Sequence, residues 1–192
     1  MSVVANVVSP SASWIVYDGR AMRNGEIVSE DVTKAKMVNK FVCVGYTGCL
    51  EVAEKVLEVL ESPENAPITA VLLSDDMARN LLMILQRSII PENLYAQFLI
   101  TGINSAGKMA TYAIDRSQTL HTYIPSAVGQ FKISVLSTGK SQLDLTSYVF
   151  REINRHGTNK KTIISAMKKY ICDVADEDST VNKNLSVIEV LA

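Results

Sequence analysis

Four residues in the first quarter of the chain could perform nucleophilic catalysis without a histidine. Ser2 becomes the first residue if Met1 is removed, and its small side chain permits that removal. Asp18 lies sixteen residues after Ser2, and Lys34 lies sixteen residues after Asp18. An N-terminal serine carries its own base, since an α-amino group has a pKa near about 7.7–8.0 and is substantially neutral at about pH 7.5.

The other members of this group fit supporting roles. A buried Lys34 beside Asp18 would add a fixed positive charge near the amine. Gly48 follows a predicted strand and precedes a predicted helix, so its amide could bind an oxyanion. The spacing alone leaves an inert arrangement open, because Asp and Lys are common and most serines at position 2 do no chemistry.

Metal and thiol chemistry have little support in the residue counts. The chain has two histidines, His121 and His156, and no Cys-x-x-Cys pair, so we expect no zinc site and no cofactor. Three cysteines, Cys43, Cys49 and Cys172, are an odd number in apolar or helical stretches. They predict buried, reduced thiols rather than a disulfide framework.

Ser137-Thr-Gly-Lys-Ser141 resembles the end of a phosphate-binding loop between a predicted strand and a predicted helix. The full motif needs a glycine five residues before Gly139, and Ser134 occupies that position. A turn followed by a helix N-cap is therefore the favoured interpretation. Nucleotide binding remains a distant alternative.

Acidic side chains cluster around the end of the last predicted helix, at Asp173, Asp176, Glu177 and Asp178. Acids at a helix C-terminus oppose the helix dipole, and a divalent cation could offset that cost. No spacing within the cluster specifies a cation, so the cluster is also consistent with a solvated helix end.

Composition limits the class of protein. The 192 residues, 47% hydrophobic, predict one domain spanning residues 1–192 with a substantial core. A net charge of −1 and 6% aromatic residues argue against a nucleic-acid binder. The sequence shows no secretory signal and no apolar run of about 18–20 residues, so we expect a cytosolic protein that does not bind membranes.

Hydrophobic periodicity predicts strands and helices in separate groups, which favours sheets covered by pairs of helices. The turn signals include Asp18-Gly-Arg and Asn24-Gly25. Five residues expected in the core are Val4, Val7, Ile15, Val42 and Val44. The predicted strands are Ser2–Ser9, Ser13–Tyr17, Lys36–Asn39, Phe41–Tyr46, Gln97–Ile103, Met109–Ile114, Gln130–Leu136 and Asn184–Leu191. The predicted helices are Cys49–Ser62, Ile68–Arg87, Gln142–Arg155 and Lys160–Ala175.

Several short sequence blocks resemble those of a known protein family, among them Trp14–Tyr17, Asp18-Gly-Arg-Ala, Asp31-Val-Thr-Lys34 and Gly45-Tyr-Thr-Gly48. With these blocks, the chain resembles the proteasome β-subunit family and the proteasome-like peptidase of the bacterial two-component ATP-dependent protease. The match places Ser2 at the N-terminal threonine of the family and runs without a gap to Gly48. It covers nearly the whole chain.

The resemblance implies an α+β fold, the four-layer αββα sandwich of N-terminal-nucleophile hydrolases. It also implies an amide-bond hydrolase, a peptidase, with Ser2 as nucleophile. In that scheme Asp18 orients Lys34, Lys34 lowers the pKa of the amine, Gly48 binds the oxyanion and Asp178 helps to order the amine.

The resemblance further implies a peptide or other amide substrate and a homo-oligomeric ring, with any ATPase partner unidentified. Two departures stand out. Serine replaces threonine as the nucleophile, and Met1 precedes it where the family has a longer propeptide. In addition, Lys140 stands where the family has a serine, a place that Ser141 could take. The alternative is a structural ring subunit that retains Met1 and performs no chemistry.

Overall fold

A computed structural model of the chain describes residues 2–23, 26–88, 94–137 and 141–192. Its strands are β1 (Val3–Val8), β2 (Ala12–Asp18), β3 (Ala21–Arg23), β4 (Glu26–Ser29), β5 (Ala35–Met37), β6 (Val42–Gly48), β7 (Ala96–Ile103), β8 (Met109–Ile114), β9 (Leu120–Tyr123), β10 (Lys132–Ser137) and β11 (Leu185–Leu191). Its helices are α1 (Leu50–Glu61), α2 (Ala66–Thr69), α3 (Ser74–Arg87), α4 (Leu145–His156) and α5 (Lys160–Glu177).

One sheet has the strand order β10-β1-β2-β11, with antiparallel pairing throughout. β1 and β2 form the predicted hairpin and lie in the middle of the sheet. Every residue of both strands is buried. Apolar, β-branched runs of this kind fit strands that are covered on both faces.

The second sheet has the strand order β5-β6-β7-β8-β9 and is also antiparallel. β6 runs beside β7 over its whole length, and Gly48 at its end pairs with Ala96. β3 and β4, which come between β2 and β5 in the sequence, pair as a separate two-stranded antiparallel sheet.

Three groups of buried side chains form the core. One joins α1 and α3 to β6, β7 and β8. A second joins α4 and α5 to β1 and β2. A third contains side chains from both sheets, including Val4 and Ile15 from one and Leu99 from the other. The five residues predicted in the core are all fully buried: Val4, Val7, Ile15, Val42 and Val44.

The predicted helix over Ile68–Arg87 is wrong as one element, because the structure divides that stretch into α2 and α3. The side-chain amide of Asn39 donates hydrogen bonds to the carbonyls of Thr69 and Leu72, at 2.8 and 2.9 Å. Leu73 then adopts an extended conformation. These carbonyls bind a distant side chain, which the local pattern of apolar residues cannot reveal.

Three short strands that the sequence did not predict, β3, β4 and β9, have largely exposed side chains. Exposed strands of three or four residues lack the alternation that identifies longer ones. The Asn24-Gly25 turn signal lies outside the described residues. Within the part of the chain that the structure describes, no helix is long and apolar enough to span a membrane.

Candidate active site

Ser2 lies at the start of β1, a central strand of its sheet. The next residue, Val3, pairs with Ser137 of β10, and Val4 pairs with Tyr17 of β2. Only 8% of Ser2 is exposed, and this residue lines a cleft of about 470 Å³. The sheet therefore fixes where the serine enters the cleft.

Asp18 ends β2 and is completely buried. Its Oδ1 atom accepts a hydrogen bond from the backbone N–H of Val3 at 2.8 Å. Its Oδ2 atom accepts from Lys34 Nζ at 2.8 Å and from the backbone N–H of Arg20 at 3.1 Å. One carboxylate thus joins the residue after Ser2 to the lysine.

Lys34 precedes β5 and is 2% exposed. Its carbonyl accepts a hydrogen bond from the N–H of Tyr46 at 2.9 Å, which ties its backbone to β6. Burial lowers the pKa of Lys34, and the negative charge of Asp18 opposes that shift. The result is a buried ion pair whose cationic end reaches the cleft.

Gly48 occupies the junction between β6 and α1 with a φ of +103°. A Cβ atom at this position would lie 2.4 Å from the carbonyl oxygen of Tyr95, so a larger residue does not fit. The N–H of Cys49 donates to that same carbonyl at 2.7 Å. The junction is thereby fixed against the segment before β7, and Gly48 faces the cleft.

The cleft brings Ser2, Lys34 and Gly48 together, with Asp18 behind Lys34. An ion pair between Arg23 and Glu51 adds charge to the lining, with 2.9 Å between Nη2 and Oε1. Burial raises the pKa of Tyr46 to about 12, so its phenol stays neutral. The remaining lining is largely apolar: Ala21, Met22, Val28, Val32, Cys49, Leu50 and Leu94.

Asp178 follows α5 at its C-terminal cap. Its Oδ1 atom accepts hydrogen bonds from the N–H and the hydroxyl of Thr180, at 2.9 and 2.6 Å. The carbonyl of the intervening Ser179 accepts a hydrogen bond from the guanidinium of Arg20. The turn that contains Asp178 is thus connected to the Asp18 segment through Arg20.

Ser141 is not among the residues that line the cleft. Its hydroxyl donates to Glu177 Oε2 at 3.1 Å and accepts from the N–H of Leu143 at 3.2 Å. Met1, Lys140 and the central residues of the phosphate-loop pattern, 138–140, lie outside the described residues. Nucleotide binding therefore stays untested.

The acidic cluster lies at the C-terminal end of α5, with Asp173, Asp176 and Glu177 inside the helix, and two of its members form ion pairs. Asp173 accepts from the Tyr148 hydroxyl at 2.8 Å and from Lys169 at 3.2 Å, and Asp176 pairs with Lys183 at 2.5 Å. Among the described residues, no group of three His, Cys, Asp or Glu side chains could hold a metal ion.

The three cysteines are free. Cys43 is buried, and burial raises the pKa of its thiol to about 12. A thiol with that pKa is a poor nucleophile near neutral pH, since the thiolate is the reactive form.

Two residues beside the site escaped the sequence analysis. Glu30 accepts hydrogen bonds from Arg20, and Asn182 contacts both Glu30 and the Asp18–Arg20 segment. Arg20 belongs to the Asp-Gly-Arg block, but Glu30 and Asn182 stand 152 positions apart in the chain. No local pattern signals such a contact.

No family model matches the chain, and no curated protein sequence matches it. Among solved structures, the chain is similar to eukaryotic HslV from Trypanosoma brucei, with a TM-score of 0.68 and 16% sequence identity. The match covers 99% of each chain. At this identity the likeness shows the fold, and it confirms the α+β, proteasome-like fold that the resemblance implied.

Proposed function

We propose that this chain is an N-terminal-nucleophile amide hydrolase, a peptidase, in which Ser2 is the nucleophile after removal of Met1. The observation that supports it most is the buried Lys34–Asp18 ion pair, whose lysine lines the same cleft as Ser2 and Gly48. Burying an ion pair costs free energy, and a purely structural cleft has no need of one.

In the proposed reaction, the Ser2 Oγ atom attacks an amide carbonyl while the α-amine of Ser2 takes the hydroxyl proton. The tetrahedral intermediate collapses when the C–N bond breaks and the leaving amine receives that proton. Water then attacks the acyl ester, the α-amine again takes a proton, and Ser2 is regenerated with release of the acid.

Lys34 and Asp18 have electrostatic roles in this proposal. A protonated Lys34 disfavours a second positive charge nearby, so it keeps the α-amine neutral and basic near pH 7. Asp18 holds Lys34 in place and favours its charged form. It also holds the backbone at Val3, next to the nucleophile.

Gly48 and Asp178 complete the proposed site. The amide of Gly48, at a rigid strand–helix junction, would donate to the oxyanion of the tetrahedral intermediate. Asp178 would help to order the amine from the turn after α5. Thr180 donates both hydrogen bonds that Asp178 Oδ1 accepts, which fixes the carboxylate within this turn.

The order in which the sheets and helices are layered determines where this proposed site lies in the domain. We infer one domain with a helix–sheet–sheet–helix order, the four-layer αββα sandwich. The three cores support it, since each sheet packs against one group of helices and side chains from both sheets share the third core. The cleft then lies where β1 and β6, one strand from each sheet, come together.

A structural ring subunit is the second candidate, and it follows from the sequence before Ser2. If Met1 is retained, the nitrogen of Ser2 is an amide without a basic lone pair, and the proposed base is lost. Such a chain would keep the fold and the ring without hydrolysing anything.

For the active form, the proposed substrate is a peptide or another amide with apolar groups, because Met22, Val28 and Leu50 are among the residues that line the cleft. We further propose that the chain forms a homo-oligomeric ring in the cytosol, with an ATPase partner that is unidentified. We propose no cofactor, no nucleic acid and no membrane partner.

Intact mass and peptide hydrolysis test the proposal together. We expect the purified protein to lack the mass of one methionine and to hydrolyse members of a fluorogenic peptide panel. Ser2→Ala should abolish hydrolysis, while Ser2→Thr should retain it because hydroxyl and amine survive. Ser11→Ala, in the exposed turn between β1 and β2, is the matched control.

Full hydrolysis by Ser2→Ala would overturn the assignment of the nucleophile. A retained methionine together with no hydrolysis would favour the structural subunit.

A further inference from the structure

A cluster of three polar side chains, Arg20, Glu30 and Asn182, lies directly behind the proposed catalytic group. Arg20 donates to both carboxylate oxygens of Glu30, from Nη2 at 2.9 Å and from Nε at 3.1 Å. The amide of Asn182 donates to Glu30 Oε2 at 2.5 Å and to the carbonyl of Glu30 at 2.9 Å. We call this cluster the Glu30 clamp.

The Glu30 clamp holds the segment that carries Asp18. The N–H of Gly19 donates to Asn182 Oδ1 at 3.0 Å, and the N–H of Arg20 donates to Asp18 Oδ2. A Cβ atom on Gly19 would lie 2.4 Å from the carbonyl oxygen of Glu30, so the two backbones are in direct contact. The N–H of Gly19 also donates to the carbonyl of Asn184 at 3.0 Å, so the Glu30 clamp is one of two contacts that hold this N–H.

The same clamp reaches the turn after α5. Arg20 donates to the carbonyl of Ser179, and Asn182 lies three residues further along. Glu30 is bound to both side chains, so it joins the Asp18 segment to the turn that contains Asp178. One carboxylate thus connects the segments that carry two proposed site residues far apart in sequence.

We propose that Glu30 is a positioning residue for the hydrolysis argued above, acting through Arg20 and Asn182 on Asp18 and, through Asp18, on Lys34. This inference rests on the proposed function. Glu30 lines no part of the cleft, so its effect falls on the rate of the chemical step rather than on binding.

The charge of Glu30 gives this role a signature that packing alone would not produce. Burial is the main cause that lowers the pKa of Lys34, Asp18 raises this pKa, and the guanidinium of Arg20 adds a smaller lowering effect. Glu30 neutralises Arg20 at a distance of 2.9 Å. Glu30→Gln leaves that positive charge uncompensated, so Lys34 should lose its proton at lower pH.

The test compares Glu30→Gln with Glu189→Gln in protein lacking Met1. Glu189 is a matched control at the far end of β11, since it also joins a cation, Lys160, to a neutral donor, Trp14 Nε1. A β-lactone probe acylates the nucleophile, and intact mass gives the maximal acylation rate and the half-saturating concentration. Amide hydrogen exchange follows the peptide that contains residues 18–23.

We expect Glu30→Gln to lower the maximal rate about tenfold or more with an unchanged half-saturating concentration. The alkaline limb of its pH profile should move to lower pH, and the amides of Gly19 and Arg20 should exchange faster. Glu189→Gln should match the unchanged protein in all three measurements.

Two failures are distinguishable. If the unchanged, Met1-free protein shows no acylation that depends on Ser2, the proposed function fails, and the positioning role falls with it. If that protein is acylated at Ser2 but Glu30→Gln has the same rate, pH profile and amide exchange, the positioning role alone is wrong. A loss of rate explained by a higher half-saturating concentration would also overturn it.

Discussion

Asp18 accepts three hydrogen bonds in a position that solvent does not reach, from Val3, Arg20 and Lys34. Both of its oxygens are engaged, so the charge of the carboxylate is well compensated. Its location also has a consequence for stability. Removing one member of a buried ion pair leaves the other charge uncompensated, which costs about 3–5 kcal/mol.

Replacing Lys34 should therefore destabilise the protein as well as inactivate it. We expect Lys34→Met to lower the free energy of unfolding by about 3 kcal/mol, because Asp18 stays buried without its cation. The double variant Asp18→Asn with Lys34→Met should be less destabilised than the two single effects added together. Urea unfolding measures the cycle. Additive effects would show that the pair is not coupled.

The activity of the proposed enzyme should have a bell-shaped dependence on pH. Activity should rise as the α-amine loses its proton, since the base must be neutral. It should fall again when Lys34 loses its proton, and burial places this alkaline limb below the ordinary pKa of lysine. Initial rates of peptide hydrolysis between about pH 5 and pH 11 give the profile.

Asp18→Asn tests whether the alkaline limb of the pH profile belongs to Lys34. The carboxylate raises the pKa of Lys34, so its loss should shift the alkaline limb to still lower pH. Asp176→Asn removes an exposed partner of Lys183 and should leave the limb in place. A shift to higher pH in Asp18→Asn would contradict the assignment of that limb to Lys34.

At the scale of the strands, β1 is fixed by a buried polar network that joins the two sheets. The amide of Asn6 donates to Ser13 Oγ at 2.7 Å and to the carbonyl of Trp14 at 3.1 Å. Its oxygen accepts from Thr111 at 2.9 Å and from Ser134 at 3.3 Å. All four hydrogen-bonding positions of this side chain are used, which fixes the register of the strand that begins beside Ser2.

Asn6→Leu should lower the free energy of unfolding by about 2–3 kcal/mol, because it leaves buried hydroxyls without their partner. The same variant should reduce hydrolysis, since β1 places Ser2. Urea unfolding and initial rates check both. Asn154→Ala, on the exposed side of α4, should change stability by less than about 0.5 kcal/mol. A small effect at Asn6 would mean that the network contributes little to the position of the strand.

The sequence predicted those elements whose residues carry a local pattern. Met109–Ile114 is a strand with those bounds, and both helices before β11 were expected. The break between α2 and α3 was not, because it depends on Asn39, thirty residues away. Likewise, spacing and the family resemblance predicted Ser2, Asp18, Lys34 and Gly48 as site residues, and these stay a prediction. The Glu30 clamp depends on Asn182, which only the folded chain brings close.

At the scale of the whole molecule, the helices α1, α2 and α3 present apolar side chains to the outside. Val59, Ile68 and Met83 are 45%, 58% and 44% exposed and line one groove of about 240 Å³. Grouped apolar side chains at the surface are typical of protein–protein contacts. This face is our candidate for a contact between copies of the chain in the proposed ring.

We expect the protein to form a homo-oligomer at micromolar concentration, measured by light scattering coupled to size exclusion. Introducing charges with Val59→Glu and Ile68→Glu together should shift the population to smaller species, because a buried unpaired charge opposes association. The melting temperature of the dissociated chain should change little, since both side chains are exposed within one chain.

Val128→Glu is the control, at a position that is 96% exposed and outside the groove. A strictly monomeric parent protein would refute the ring, whereas an unchanged oligomer in the double variant would move the contact to another face.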